Sequence, residues 1–216
     1  MNTTLKKIVL IITPVIIIDT LRSIVLKLLS KRDFRKWEQQ GRPVPPPHIV
    51  KQKVIKEFQK KYNINILIET GTYKGDMVHA MKHKFKKIYS IELGIDLWKR
   101  ACKRFKNQEN ISILQGDSGK VLVGLVPQIN ERALFWLDGH YSSGITSRGE
   151  KECPIFEELE SILDSQINHI LLIDDARCFN GSGDYPTVDE LTETILIKKP
   201  LSKLDVKDDI IIIILE

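Results

Sequence analysis

The stretch from Ile66 to Asp76, Ile-Leu-Ile-Glu-Thr-Gly-Thr-Tyr-Lys-Gly-Asp, constrains the fold more than any other part of the chain. An apolar run meets Glu69, then Gly71 and Gly75, and the apolar spacing from Met77 to Phe85 follows a helical period. That order predicts a strand, a tight turn and a helix start. Glycine accepts positive φ and lets backbone approach a ligand, while a helix start offers unpaired N–H groups. The turn is therefore expected to dock something small and polar, with a ligand-free βα turn as the plain alternative. A second strand ends at Glu92, 17 residues after Gly75, where an acid can accept both hydroxyls of a ribose. The expected ligand is a nucleoside. The spacing G-x-x-x-G is not the G-x-G-x-x-G of the dinucleotide fingerprint.

From Ile64 onward strand and helix patterns alternate, which argues for a parallel sheet covered on both faces. Strands are predicted at Ile64–Thr70, Lys87–Glu92, Ile111–Gln115, Ala133–Asp138 and His169–Asp174. Helices are predicted at His48–Lys61, Asp76–Phe85, Asp96–Lys106, Ser118–Val126, Ile155–Asp164 and Thr187–Ile197. Lys203–Val206 and Ile210–Leu215 flank a short polar connection and read as an antiparallel hairpin, although no glycine is present to support the turn. The expected class is α/β: a doubly wound, mostly parallel, seven-stranded Rossmann-like sheet closed by an antiparallel C-terminal hairpin. Five consecutive isoleucines, Ile210 to Ile214, suit a strand buried on both faces.

The amino-terminal arm differs from the rest. Residues 1–62 hold 14 Lys/Arg against 4 Asp/Glu, whereas residues 63–216 hold 19 against 24. Lys6 and Lys7 precede an uncharged run from Ile8 to Ile18, too short to span a bilayer, which needs about 20 apolar residues. Extending the run to Leu29 places Asp19 near its middle, at a cost of roughly 2.5–3.5 kcal/mol. A surface-lying or re-entrant anchor is favoured over a true span and over a signal peptide, for which no small-x-small cleavage site follows. Residues 1–40 are thus expected to be a basic, apolar, membrane-associating helix on the cytoplasmic side, with Trp37 at headgroup level. Residues 41–47, Gly-Arg-Pro-Val-Pro-Pro-Pro, form a stiff linker, and residues 48–216 form the α/β domain. An acidic domain is a poor match for a nucleic-acid backbone, so no nucleic acid is expected. The pattern does not exclude an oligomer. Cys102, Cys153 and Cys178 form no C-x-x-C pair and argue for a reducing compartment without disulfides or zinc.

Seven strands with a closing hairpin, Glu69-x-Gly71 after strand one, Glu92 after strand two and Gly116-Asp117-Ser118 after strand three together resemble a class I S-adenosylmethionine-dependent methyltransferase over residues 48–216. The resemblance implies that Gly71 and its neighbours Thr72 and Gly75 pass under the methionine part and that Glu92 holds the ribose. It also implies that Asp117 meets the adenine edge with Ser118 beside it, and that Glu69 orients the loop or the amino group.

Asp138 after strand four and Asp174-Asp175 after strand five bring three carboxylates to the carboxyl edge of the sheet, where open α/β folds bind ligands. Three acids so close repel one another unless a cation intervenes, and an all-oxygen set suits Mg²⁺ better than zinc. The pattern is similar to metal-dependent macrocin- and novobiocin-type sugar O-methyltransferases, in which such acids hold the metal. The residue two after the first Asp is the base there, and here that residue is His140, where those enzymes have an acid. Asp138 and His140 are the catalytic candidates, with Asp138 also beside the cofactor. Metal coordination would lower the pKa of the acceptor hydroxyl, and a neutral imidazole could take its proton. The plainer readings are that Asp138 caps a turn, that Asp174 or Asp175 pairs with Arg177, and that His140 is a loop histidine.

Gly139 to Cys153 is too polar and glycine-rich for a strand or helix and is expected to be a substrate lid, with an ordinary surface loop as the alternative. Tyr141, Arg148 and Lys151 are its candidates for acceptor contact, and Arg177 and Tyr185 for the opposite wall. The expected activity is O-methylation of a hydroxyl on a sugar, glycan or small metabolite. The alternatives are a non-catalytic methyltransferase-like binding protein and an NAD(P)-dependent oxidoreductase.

Overall fold

The computed structural model describes residues 30–139 and 153–216. The chain divides into two units, Met1–Val50 and Lys51–Glu216. In the first, residues 30–39 form helix α1. Trp37, expected at headgroup level, is buried: its indole N–H donates to the Pro43 carbonyl at 2.8 Å, and the Arg42 guanidinium lies 5.4 Å from its ring centroid. The apolar run Ile8–Ile18 lies outside the described residues. Among the described residues no helix is long and apolar enough to cross a membrane.

The second unit is a seven-stranded sheet in the order β3-β2-β1-β4-β5-β7-β6. Its strands are β1 (Ile66–Thr70), β2 (Lys87–Glu92), β3 (Ile111–Gln115), β4 (Ala133–Leu137), β5 (Ile170–Ile173), β6 (Lys203–Lys207) and β7 (Ile210–Ile214). β1 to β5 run parallel, while β7 is antiparallel to both β5 and β6. The helices are α2 (His48–Tyr62), α3 (Asp76–Met81), α4 (Ile95–Phe105), α5 (Ser118–Leu125), α6 (Ile155–Leu163) and α7 (Val188–Lys198).

The strand order dictates which helices share a face. Crossovers between parallel strands are right-handed, so β1→β2→β3, stepping one way, puts α3 and α4 on one side. The return from β3 to β4 reverses the step and puts α5 and α6 on the other. Two cores result. Val54, Ile55 and Phe58 of α2 join Met77, Val78 and Met81 of α3 and Phe105 of α4 on one face. Leu122, Leu159 and Ile195, from α5, α6 and α7, cover the other. Fully buried residues such as Ile55 and Leu67 each contribute about 1.5–3 kcal/mol of transfer free energy.

Two local departures from the sequence pattern have physical causes. Helix α3 stops at Met81, not Phe85: the Lys84 N–H turns back to the Met81 carbonyl at 2.8 Å, and Phe85 reaches the core from that turn. The β6–β7 turn works without glycine because Asp208 and Asp209 both take positive φ, 51° and 65°, and aspartate tolerates the left-handed region better than most residues.

Candidate functional site

The reversal of strand order between β1 and β4 opens the crevice in which doubly wound folds bind ligands. Backbone pairing continues past the strand ends and builds a ledge there. Gly116 N–H donates to the Glu92 carbonyl at 3.0 Å, Gly71 N–H to Ile91 at 2.9 Å, Asp138 N–H to Thr70 at 3.2 Å and Asp174 N–H to Leu137 at 3.0 Å. The sequence-predicted residues Glu92, Gly71, Asp138 and Asp174 are therefore neighbours along one edge.

Gly71 has φ +85°, and a Cβ there would lie 2.3 Å from the Asp138 carbonyl oxygen. Only a residue without a side chain lets the β1 and β4 loops approach so closely. Gly75, φ +74°, caps α3, and a Cβ there would strike the Phe105 ring at 2.7 Å. Both glycines are required by packing as well as by turn geometry.

Glu69 is buried at the tip of β1, between Ser90 of β2 and Trp136 of β4. The Ser90 hydroxyl donates to it, and Ser90 is linked in turn to the Thr72 hydroxyl at 2.6 Å. Burial pushes the Glu69 carboxyl up to about 8 against the opposing Ser90 hydrogen bond, and the nearby Asp138 and Glu92 charges add to the rise. Thr72 and Ser90 thus support the loop from below.

Glu92 clamps two loops: one carboxylate oxygen accepts from Tyr73 N–H at 2.7 Å and the other from Gly94 N–H at 2.8 Å. A carboxylate has about four lone-pair sites, so both bonds leave acceptor capacity. Asp117 caps α5 by accepting from Lys120 N–H at 3.2 Å, with Ser118 as the helix's first residue.

The acidic side of the edge is where the structure departs from expectation. Asp174 is fully buried, and its two oxygens accept from Asp175 N–H at 2.9 Å and from the Lys51 ammonium. Lys51 also reaches Asp175 at 3.4 Å. Asp175, in the left-handed region at φ 56°, accepts from Arg177 at 2.9 Å as well. Burial pushes the Asp174 carboxyl up while Lys51 pulls it back, and burial works against the Lys51 ammonium, which Asp174 holds above its usual range nevertheless. A hard divalent ion needs oxygens converging on one point. Here the β5 pair already faces lysine and arginine cations, and among the described residues no group of three or more His, Cys, Asp or Glu could hold a metal. The expected Mg²⁺ centre of Asp138, Asp174 and Asp175 does not fit this arrangement.

Arg177 and Tyr185 each make contacts within the fold. The Arg177 guanidinium binds Asp209 as well as Asp175, and Arg177 N–H donates to Asp209 at 2.9 Å, tying the β6–β7 turn to the end of β5. Tyr185 packs edge-on against Phe179, ring centroids 5.6 Å apart, beside the core. Both take part in holding the fold. His140, Tyr141, Arg148 and Lys151 lie outside the described residues, as does most of the expected lid.

Sequence reasoning missed Lys51. Its signal was present: Lys51, Ile55 and Phe58 stand at i, i+4 and i+7 of α2, and Ile55 and Phe58 are buried. A lysine on the inward stripe of a helix implies a buried acid opposite.

No family model and no curated protein matches the chain. Solved structures do. The O-methyltransferase TomG of Streptomyces achromogenes, in complex with S-adenosylmethionine, superposes with TM-score 0.55 at 13% identity, covering 86% of this chain and 88% of that one. The fold is that of the S-adenosylmethionine-dependent methyltransferases. A methyltransferase of Podospora anserina bound to S-adenosylhomocysteine matches with TM-score 0.57 at 15% identity over 90% and 95% of the two chains. An O-methyltransferase of Bacillus cereus, with the same product bound, matches with TM-score 0.55 at 10% identity over 87% and 90%. At these identities the likeness concerns the methyltransferase fold itself, including its closing hairpin.

Proposed function

We propose that the chain transfers the methyl group of S-adenosylmethionine to a hydroxyl of a sugar, glycan or similar small metabolite. The observation that carries the reading is the buried, protonation-prone Glu69 beneath Gly71, flanked by Glu92 and Asp138. A ring of acids around the β1 loop suits a cosubstrate bearing a sulfonium and an ammonium. It disfavours a dinucleotide, whose pyrophosphate would meet those acids and a short helix with Asp76 in its first turn. In the reaction the acceptor oxygen attacks the sulfonium methyl in line as the carbon–sulfur bond breaks. The products are a methyl ether and S-adenosylhomocysteine, and the hydroxyl proton passes to a base at the end of β4, Asp138 or His140. Calorimetric titration of the full chain with S-adenosylmethionine and, separately, NADH tests the reading. Binding of the first alone is expected, and absence of S-adenosylmethionine binding would refute the proposal.

The same proposal places the protein peripherally on an anionic membrane surface at its cytoplasmic side. The basic amino-terminal arm supports this, and so does the charge on one face of the sheet. Residues 51–62, 76–87 and 95–106 carry fourteen Lys/Arg against three Asp/Glu. Residues 118–128, 155–164 and 188–199, on the opposite face, carry three against seven. Each basic residue near an anionic surface contributes about 1 kcal/mol, or roughly five-fold in partition. Changing Lys53, Lys60, Lys99 and Lys103 to Gln is expected to lower co-sedimentation with phosphatidylserine-containing vesicles, with binding to phosphatidylcholine vesicles unchanged. Equal binding of the variant, or face-dependent binding of RNA without vesicle binding, would overturn this assignment.

A further inference from the structure

We propose that the Lys51 ammonium is the built-in cation of this edge, neutralising the Asp174 and Asp175 carboxylates at the end of β5, so that acceptor binding needs no metal. Three observations converge. Helix α2 delivers the lysine from the inward stripe that also buries Ile55 and Phe58, so its backbone is anchored in the core. Its head meets two carboxylates of one strand end, Asp174 and Asp175, across 123 and 124 residues of sequence. Asp174, with no exposed side-chain surface, cannot lose that counter-charge cheaply, since an uncompensated buried charge costs several kcal/mol.

Charge and reach follow from the chemistry of the group. An ammonium has three N–H donors, and among the described residues Asp174 and Asp175 take two of them. The Lys51 side chain keeps 16% of its surface exposed, so the residue is not sealed from solvent. The third N–H is available to an acceptor oxygen at the edge where Asp138 also ends its strand. Lysine acts there as a fixed point charge, holding the carboxylates and orienting an oxygen. A divalent ion could enter only by displacing an ammonium already bound to a buried carboxylate.

The role of the cation rests on the methyl-transfer reading, but the site itself is tested without cosubstrate or acceptor. The probe is Mn²⁺ alone, titrated into the full chain and followed by electron paramagnetic resonance. Wild type is expected to bind Mn²⁺ no more tightly than about 1 mM, in the range of weak carboxylate sites. Lys51→Met, which removes the ammonium and frees the carboxylates, is expected to bind at least about ten-fold more tightly and to melt at higher temperature when Mn²⁺ is added. Lys51→Arg, which keeps the charge, should remain metal-refractory. Tight Mn²⁺ binding by wild type would overturn the inference, as would a folded Lys51→Met with no gain in affinity. If Lys51→Met does not fold, the wild-type and Lys51→Arg titrations decide. Failure to bind S-adenosylmethionine would instead strike the functional reading and leave the Mn²⁺ result standing.

Discussion

Replacing Glu69 with Gln tests the electrostatic core of the site. Glutamine is nearly isosteric and keeps an oxygen to accept from the Ser90 hydroxyl, but it cannot titrate. In the unfolded chain the carboxyl has its usual value of 4.5, and in the fold it stands at about 8. Below pH 4.5 it is protonated in both states and costs nothing. Between these values the folded state binds a proton that the unfolded state does not, so stability falls as pH rises, by about 1.4 kcal/mol per unit. At pH 7 the accumulated loss is about 3 kcal/mol, and above pH 8 it levels off near 5 kcal/mol. Glu69→Gln should therefore be more stable than wild type by about 3 kcal/mol at pH 7, or roughly 6–12 °C in Tm, with the difference vanishing near pH 4.5. The assay is calorimetric melting of both proteins at pH 5, 7 and 8.5. The same variant should bind S-adenosylmethionine more weakly and lose the proton release that accompanies wild-type binding, since a cation favours the ionised carboxyl. A Tm difference that stays constant with pH would refute the reasoning.

Other expectations are simpler. Gly71→Ala forces a Cβ to 2.3 Å from the Asp138 carbonyl at a φ of +85°; urea unfolding should show a loss of about 3 kcal/mol or more, and calorimetry a loss of S-adenosylmethionine binding. His169, buried beside Phe135 with Ala133 N–H donating to its ring at 3.2 Å, is lowered by burial to about 4. Its stabilisation is complete above 6.5 and is lost as pH falls toward 4, by about 2 kcal/mol at pH 5. Urea unfolding in the Glu69→Gln background, where the opposing carboxyl titration is silent, should reveal it, and His169→Gln should abolish it. Thr187→Ala breaks the reciprocal capping box with Glu190 at the start of α7 and should cost about 1 kcal/mol, measured as a fall of a few degrees in Tm.

Most of the strand framework was legible because its residues answer to local rules. β1, β2 and β4 are short apolar runs punctuated by an acid or a turn, and the isoleucines of β7 have no comfortable place except between two neighbours. The acids at the strand ends were legible for the same reason: position after a strand fixes which edge they occupy. What escaped was set by tertiary proximity. The partner of Asp174 lies 123 residues away, and only the packing of α2 brings it there. Arg177 was legible as a partner for Asp175, but its hold on Asp209 depends on where the hairpin folds back. The charge segregation was hidden by totals that assign residues 51–62 to the amino-terminal arm and mix both faces over residues 63–216. Strand order sorts the helices into a basic side and an acidic one, and composition carries no record of strand order.

The outermost position of β6 has a consequence for handling the protein. β6 is exposed, with Lys203, Asp205 and Lys207 at the rim, and it is all that shields the second side of five successive isoleucines. Charged rims discourage foreign strands, whereas a bare, uncharged, β-branched strand is a template for stacking. An internal deletion of residues 203–207 that leaves β7 in place should turn this charged edge into a seed for fibres. Expression of a chain carrying that internal deletion should then fail by precipitation rather than by loss of secondary structure.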